Sequence, residues 1–167
     1  LSERADKTSR IVDVQYYLLL PDARDVGTAL DVVRWSALLK SASALAMYRR
    51  QHGKIVPERV AEFLVLDRHF PRSTHFCVMR AHESLRHITG SPVGTFYNLA
   101  EQRMGRLCAN MDYTSIRDII QQGMHQYIDN FQGQLNLIGE AIRDEFFTSH
   151  RAKQSQDAAA MSQSQTN

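Results

Sequence analysis

The first residues able to do chemistry stand at the start of the chain, where a glutamate and an arginine are adjacent. The Glu3 carboxylate and the Arg4 guanidinium could together orient an anionic ligand or the carboxylate of a partner. Consecutive helical residues project about 100° apart, so each can instead contact a different neighbour, and Glu3 is spaced to pair with Lys7. A structural ion pair is therefore the favoured interpretation, and a ligand contact is the alternative.

Two further arginines, Arg103 and Arg106, are three residues apart and share a helical face. Gly105 stands between them and could admit a neighbouring backbone. A phosphate or carboxylate could bind on this face, and if the opening Glu-Arg pair joined it, the four side chains would form one pocket between helices. The favoured interpretation is nevertheless a basic face that is solvated or paired with the nearby carboxylates of Glu101 and Asp112, and the ligand site is the alternative.

Asp67, Arg68 and Arg72 lie in the most distinctive predicted loop, whose sequence is Asp-Arg-His-Phe-Pro-Arg. Loops carry function more often than helix interiors do, which makes these three side chains candidates for a site. A structural explanation is favoured over a site: Phe70 can fill a core, the proline ends one helix, and Ser73 caps the next.

The histidines and cysteines predict neither a metal site nor a thiol nucleophile. Glu83 and His87 share a helical face, but zinc needs three or four converging ligands. His75 and Cys77 are two residues apart on a helix and therefore point to different sides. Cys77 and Cys108 both stand in apolar helical contexts, which argues against a disulfide. We accordingly expect no metal and no cofactor, and the sequence leans against an enzyme without deciding the question.

Composition excludes several classes of partner. The 167 residues include 20 Lys and Arg and 18 Asp and Glu, a net charge of +2 that demands neither a nucleic acid nor a membrane surface. No apolar run approaches the roughly 18 residues needed to cross a bilayer, and no signal peptide precedes the first helix. With two unpaired cysteines, the predicted location is the cytoplasm.

Apolar residues recur at helical spacing throughout, and no alternating strand pattern appears, so the predicted fold is all-α. We expect a bundle of about six helices, with residues 1–148 as one helical domain and 149–167 as a disordered tail. The helices are expected over residues 2–20, 31–52, 57–65, 73–89, 98–112 and 115–146, with a loop at 21–27. Gly123, Gly133 and Gly139 interrupt the last helix, which indicates close approach of other helices or a bend.

Several segments together resemble the alpha-E family, which is named for its Glu-Arg motif. The matching segments are Glu3-Arg4-Ala5-Asp6-Lys7-Thr8-Ser9-Arg10-Ile11, Trp35-Ser36-Ala37-Leu38-Leu39-Lys40-Ser41-Ala42-Ser43-Ala44, Val60-Ala61-Glu62-Phe63-Leu64, Leu66-Asp67-Arg68, Phe70-Pro71-Arg72, Ala100-Glu101-Gln102-Arg103 and Gly105-Arg106-Leu107. The resemblance continues to Phe146-Phe147. Members are usually about twice as long and look like two divergent helical halves, so this chain, which lacks an initiator methionine, resembles the second half.

The resemblance implies an all-helical bacterial domain encoded near ATP-grasp ligases and transglutaminase-like peptidases. Our leading hypothesis is a non-catalytic partner or scaffold of such peptide-forming or peptide-modifying systems. The alternative is an enzyme or small-anion-binding domain that uses an interhelical pocket of Glu3, Arg4, Arg103 and Arg106. Apolar surface left where a homologous N-terminal half would dock predicts association with that half or self-association.

Overall fold

A computed structural model describes residues 1–19 and 29–148, and within these ranges helices joined by loops make up the chain, without strands. Eight α-helices are followed by a π-helical turn: α1 (Ser2–Leu19), α2 (Ala29–Ser41), α3 (Leu45–His52), α4 (Pro57–Val65), α5 (Thr74–Thr89), α6 (Leu99–Asp112), α7 (Ile116–Gln122), α8 (Met124–Arg143) and the turn Asp144–Thr148. The all-α prediction is confirmed. The predicted loop at 21–27 and the predicted tail at 149–167 lie outside the described residues.

Four long helices form the bundle that carries the candidate sites. Helix α1 packs on α5 and α8, and α6 packs on the same two helices, so the four close a ring with α1 and α6 at opposite corners. Small and flexible apolar side chains fill the space between them, among them Ala5, Cys77, Met104, Leu107 and Ile138. This arrangement is the common solution for antiparallel helices with one apolar stripe each.

The shorter helices α2, α3, α4 and α7 enclose a second core against one part of α1. Aromatic side chains dominate it, because Trp35, Tyr48, Phe63 and Phe70 are all buried there. Phe63 stacks on Phe70 with ring centroids 4.7 Å apart and meets the edge of Tyr48 at 5.5 Å. This core anchors the loop between α4 and α5, which carries three of the candidate residues.

The helix predicted over 31–52 is wrong in two respects. It begins at Ala29, so Asp31 lies within the helix and not at its cap, and it breaks after Ser41. The break is a Schellman motif: the Ala44 amide donates to the Leu39 carbonyl at 2.7 Å, the Ser43 amide donates to the Lys40 carbonyl at 2.9 Å, and Ser43 adopts φ +54°. Glycine usually occupies this left-handed position, so a serine here gives no sequence signal that the helix ends.

The helix predicted over 115–146 also divides, at Gly123. Gly123 has φ +102° and separates α7 from α8. Of the two explanations for a glycine in this segment, a bend is therefore the one that applies at this position. The predicted start is confirmed, because Ser115 and Asp118 form a reciprocal capping box. Gly133 and Gly139 do not admit other helices, since a Cβ added at either would meet nothing within 4 Å.

Gly133 and Gly123 make a matched pair for a stability test. Gly133→Ala should raise the free energy of unfolding by about 0.5–1 kcal/mol, because alanine loses less backbone entropy in a helix and has room here. Gly123→Ala should lower it by about 1–3 kcal/mol, because an L-residue is strained at φ +102°. Urea denaturation of both variants checks the pair. Equal effects of the same sign would contradict the break between α7 and α8.

Candidate functional site

The opening Glu-Arg pair divides its contacts between two directions, as helical geometry predicts. Glu3 forms an ion pair with Lys7 at 2.8 Å on the exposed face of α1. The hydrogen bond from Lys7 lowers the pKa of the Glu3 carboxyl. Arg4 instead reaches across to the loop between α4 and α5, where its Nη1 donates to the Pro71 carbonyl at 3.4 Å. The predicted pairing of Glu3 with Lys7 is confirmed.

Arg4 and Arg72 border the same cavity, of about 450 Å³, between α1, the end of α2 and the α4–α5 loop. We call it the arginine cavity and define it by Leu1, Glu3, Arg4, Lys7, Thr8, Ile11, Ser41, Ala42 and Arg72. The Thr8 hydroxyl donates to the Arg72 carbonyl at 2.9 Å, which ties α1 to the loop. The Arg72 Nη1 donates to the Ser43 hydroxyl at 2.9 Å. Both arginines therefore contact neutral acceptors, and in the described part of the chain neither is paired with a carboxylate.

The loop holds Arg72 in place through its own hydrogen bonds. The Asp67 Oδ1 accepts from the amides of His69 and Phe70 at 2.8 and 2.6 Å, which makes a tight turn. The Ser73 hydroxyl donates to the Asp67 carbonyl and accepts from the Phe76 amide, so it caps α5 as predicted. Phe70 is buried in the aromatic core. The predicted structural roles of Phe70 and Ser73 are confirmed, and Asp67 is part of the same turn.

Arg103 and Arg106 do not line the arginine cavity. Arg103 donates to the Leu137 carbonyl of α8 at 2.7 Å, and both arginines line a small cavity of about 100 Å³ against α8. The four residues proposed for one interhelical pocket are therefore divided between two separate cavities, because α1 and α6 occupy opposite corners of the bundle. Gly105 makes room for an imidazole and not for a backbone, since a Cβ there would lie 3.3 Å from the His82 Nε2.

A model of the Alpha-E family, described as a predicted alpha-helical domain with a conserved ER motif, matches residues 1–147. The chain belongs to the Alpha-E family. No curated protein and no solved structure matches it. In the described residues of this Alpha-E domain, no helix is both long and apolar enough to pass through a lipid bilayer.

The Alpha-E domain contains two Glu-Arg pairs, Glu3-Arg4 and Glu58-Arg59. Glu58 and Arg59 are both exposed at the start of α4, and the Glu58 carboxylate lies 4.0 Å from the Arg117 side chain. The arginine cavity borders the first pair alone. The two pairs therefore differ in their surroundings, since Glu3-Arg4 lines the arginine cavity and Glu58-Arg59 does not.

The Glu101 carboxylate is almost completely buried, and its hydrogen bonds lie at the start of α6. Burial alone would raise its pKa, but hydrogen bonds from the Thr89 and Ser91 hydroxyls, the Tyr97 amide and the Asn98 side chain outweigh burial and lower the pKa. Asn98 and Glu101 have the spacing of a capping box at the start of α6, but only one of its two reciprocal hydrogen bonds forms. The Asn98 side-chain oxygen accepts a hydrogen bond from the Glu101 backbone amide at 2.9 Å. The Glu101 carboxylate in turn accepts hydrogen bonds from the Tyr97 amide and from the Asn98 side chain, both at 3.1 Å, and not from the Asn98 backbone amide.

A cluster that the sequence did not predict joins α5 to the end of α6. His75, Cys108 and Asp112 each place one potential ligand atom within 4.8 Å of the other two. Arg68, the remaining loop candidate, pairs with Asp112 at 2.9 Å and so belongs to this cluster and not to the arginine cavity. Cys77 points away, towards the Pro71 carbonyl. The spacing of Cys108 and Asp112 by four residues was the only local signal.

Proposed function

We propose that this Alpha-E domain is a non-catalytic partner or scaffold that binds other proteins, namely ATP-grasp ligases or transglutaminase-like peptidases of peptide-forming or peptide-modifying systems. One observation carries the proposal: an apolar groove of about 380 Å³ where the start of α1, the second half of α5 and the closing π-helical turn meet. We call it the apolar groove. Its lining residues are Leu1, Ser2, Ala81, Ser84, Leu85, Ile88, Met104, Ile142, Phe146 and Phe147.

Large apolar side chains at the groove remain in contact with water. Ile88 is 70% exposed and Phe147 is 66% exposed. Burying either against a partner would contribute on the order of 1–2 kcal/mol, given about 25 cal/mol per Å² of apolar surface. Large apolar side chains that stay exposed around an apolar groove are typical of protein interaction sites.

Co-purification with a groove variant tests the proposal. The full chain, Ile88→Glu and the control Val33→Glu are each used as bait in native extract, and captured proteins are identified by mass spectrometry. Val33 is a matched control because it is exposed on α2 and does not line the groove. We expect an ATP-grasp ligase or a transglutaminase-like protein with the unmodified chain and Val33→Glu, and its loss with Ile88→Glu. Recovery of neither enzyme class by the unmodified chain would contradict the proposal.

The arginine cavity supports a second candidate function, the binding of a small anion such as a phosphate or carboxylate. Arg4 and Arg72 contribute two positive charges, and their present contacts are to a carbonyl and a hydroxyl. The third cation, Lys7, is neutralised by Glu3. A guanidinium that bonds only neutral acceptors retains donors for a carboxylate or phosphate. The cavity is large enough for such a group together with part of the molecule that carries it.

Titration with inorganic phosphate and with acetate, followed by nuclear magnetic resonance, tests the second candidate. Arg72→Gln should weaken binding about tenfold, since it removes the charge and keeps a polar side chain. The control Arg117→Gln removes an equally long, exposed arginine far along the chain and should leave binding unchanged. Equal weakening by both variants would mean unspecific charge attraction and would reject the cavity as a site.

A further inference from the structure

His75 occupies an unusual hydrogen-bonding position at the junction of α5 and α6. Its ring is almost completely buried, its Nδ1 lies 3.2 Å from the Leu66 carbonyl, and its Nε2 lies 3.0 Å from the Asp112 Oδ1. Both neighbours are acceptors, whereas a neutral imidazole has a single N–H to donate. Either neutral tautomer would leave one ring nitrogen facing an oxygen without a hydrogen between them. A further positive charge at this position, a proton or a metal ion, removes the conflict.

The third member of the cluster indicates which charge fits best. Cys108 lies one helical turn before Asp112, so its sulfur and the carboxylate share one face of α6. One imidazole nitrogen of His75, the Cys108 sulfur and one carboxylate oxygen of Asp112 lie within 4.8 Å of one another. Ligand atoms around a tetrahedral zinc ion are separated by about 3–4 Å, so small side-chain movements would complete the site.

We propose that His75 Nε2, Cys108 Sγ and the Asp112 carboxylate bind a zinc-class divalent transition metal ion, with the fourth position open to solvent. Nitrogen and sulfur ligands favour zinc over magnesium or calcium, which prefer oxygen. The Leu66 carbonyl orients the ring through Nδ1–H, the usual support of a metal-bound histidine. Binding releases the Cys108 thiol proton and displaces any proton between Nε2 and Oδ1, so thiolate, neutral imidazole and carboxylate hold the ion.

Two features set the conditions for binding. Burial, with the charges of Asp112 and Glu83, raises the pKa of the Cys108 thiol against the opposing effect of Arg68, and binding has to remove this thiol proton. Arg68 also competes with the ion, because its Nη2 already lies 2.9 Å from the Asp112 Oδ1. A variant without this guanidinium should therefore bind metal more tightly.

Titration of the reduced full chain with Co²⁺, a spectroscopic substitute for zinc, tests the site. We expect a thiolate-to-cobalt charge-transfer band that Zn²⁺ abolishes. Cys108→Ser should remove the band and weaken affinity more than about 100-fold, the upper range for losing an outer partner of a ligand. Cys77→Ser, which removes the other buried thiol, should keep the band. Arg68→Gln should tighten binding about tenfold.

Each result decides the proposal. Absence of the band in the unmodified chain at millimolar Co²⁺ overturns it, whatever the variants do. A band that survives in Cys108→Ser, or one lost in Cys77→Ser, also overturns it. Circular dichroism of each variant establishes that it folds. If Cys108→Ser does not fold, unchanged or weaker binding by Arg68→Gln is the result that rejects the site.

Discussion

Replacing Phe70 with alanine should lower the free energy of unfolding by about 3–5 kcal/mol, the range for removing a large aromatic side chain from a core. Phe70 is only 4% exposed and stacks on Phe63 with an interplanar angle of 21°. Phe63 in turn meets Tyr48, so the lost ring would leave a cavity in the middle of the aromatic core. The cost depends on how far the neighbouring side chains can relax into the space.

Urea denaturation followed by circular dichroism measures this effect. Phe96→Ala is the matched control, because Phe96 is 53% exposed and the change should stay within about 0.5 kcal/mol. Phe70 also lies between Asp67 and Arg72, so its loss should loosen the loop that borders the arginine cavity. A loss of stability below about 1 kcal/mol would contradict the stacked arrangement of Phe63 and Phe70.

The sequence predicted most helices because their signals are local. Pro57 at the first turn of α4, Ser73 as the cap of α5, Gly90 after α5 and Ser115 before α7 all act within a few residues. At Gly123 the glycine itself indicated an interruption, whereas the break after Ser41 has a less ordinary cause. Ser43 occupies a left-handed position that glycine usually takes, and its hydroxyl accepts from Arg72, a residue 29 positions later. The helical spacing of apolar residues gives no information about a contact between residues so far apart in the chain.

Prediction of the site failed where it required knowledge of helix packing. Glu3 was correctly paired with Lys7 because both lie on one helix. Arg4 and Arg103 could not be placed relative to one another, since nothing local shows that α1 and α6 occupy opposite corners of a bundle. The same limit concealed the metal-ligand cluster: Cys108 and Asp112 share one helix, but His75 comes from another, 37 residues before Asp112.

Glu101→Gln should lower the free energy of unfolding by about 2–4 kcal/mol, since hydrogen bonds to a buried charged group contribute about 1.5–3 kcal/mol each. Glu101 is 1% exposed, and its carboxylate accepts from the Tyr97 amide and the Asn98 side chain at 3.1 Å. Glutamine has nearly the same shape, but its amide group turns a donor towards one of these donors. The segment before α6 would lose its attachment to that helix.

The effect should depend on pH in a defined direction. Hydrogen bonding lowers the Glu101 pKa in the folded state below its ordinary value of 4.5, so the ionised carboxylate stabilises the fold above that pH. This contribution is lost as the pH falls through the lowered pKa, because the folded carboxylate is then protonated. The stability difference between the unmodified chain and Glu101→Gln should therefore shrink below about pH 4.5. Taking the difference cancels the titration of the other acidic groups.

Urea denaturation at pH 7 and at several lower values measures both the size and the trend. Glu83→Gln is the control, because Glu83 pairs with Arg80 at 2.5 Å on the exposed face of α5 and should change stability by less than about 0.5 kcal/mol. A difference for Glu101→Gln that stays constant with pH would mean that shape, and not charge, holds the segment before α6. A difference that shrinks at low pH would mean that the charge of Glu101 holds this segment. Because Glu101 lies in a segment that resembles the family pattern, that outcome would identify the segment as a structural support of the bundle.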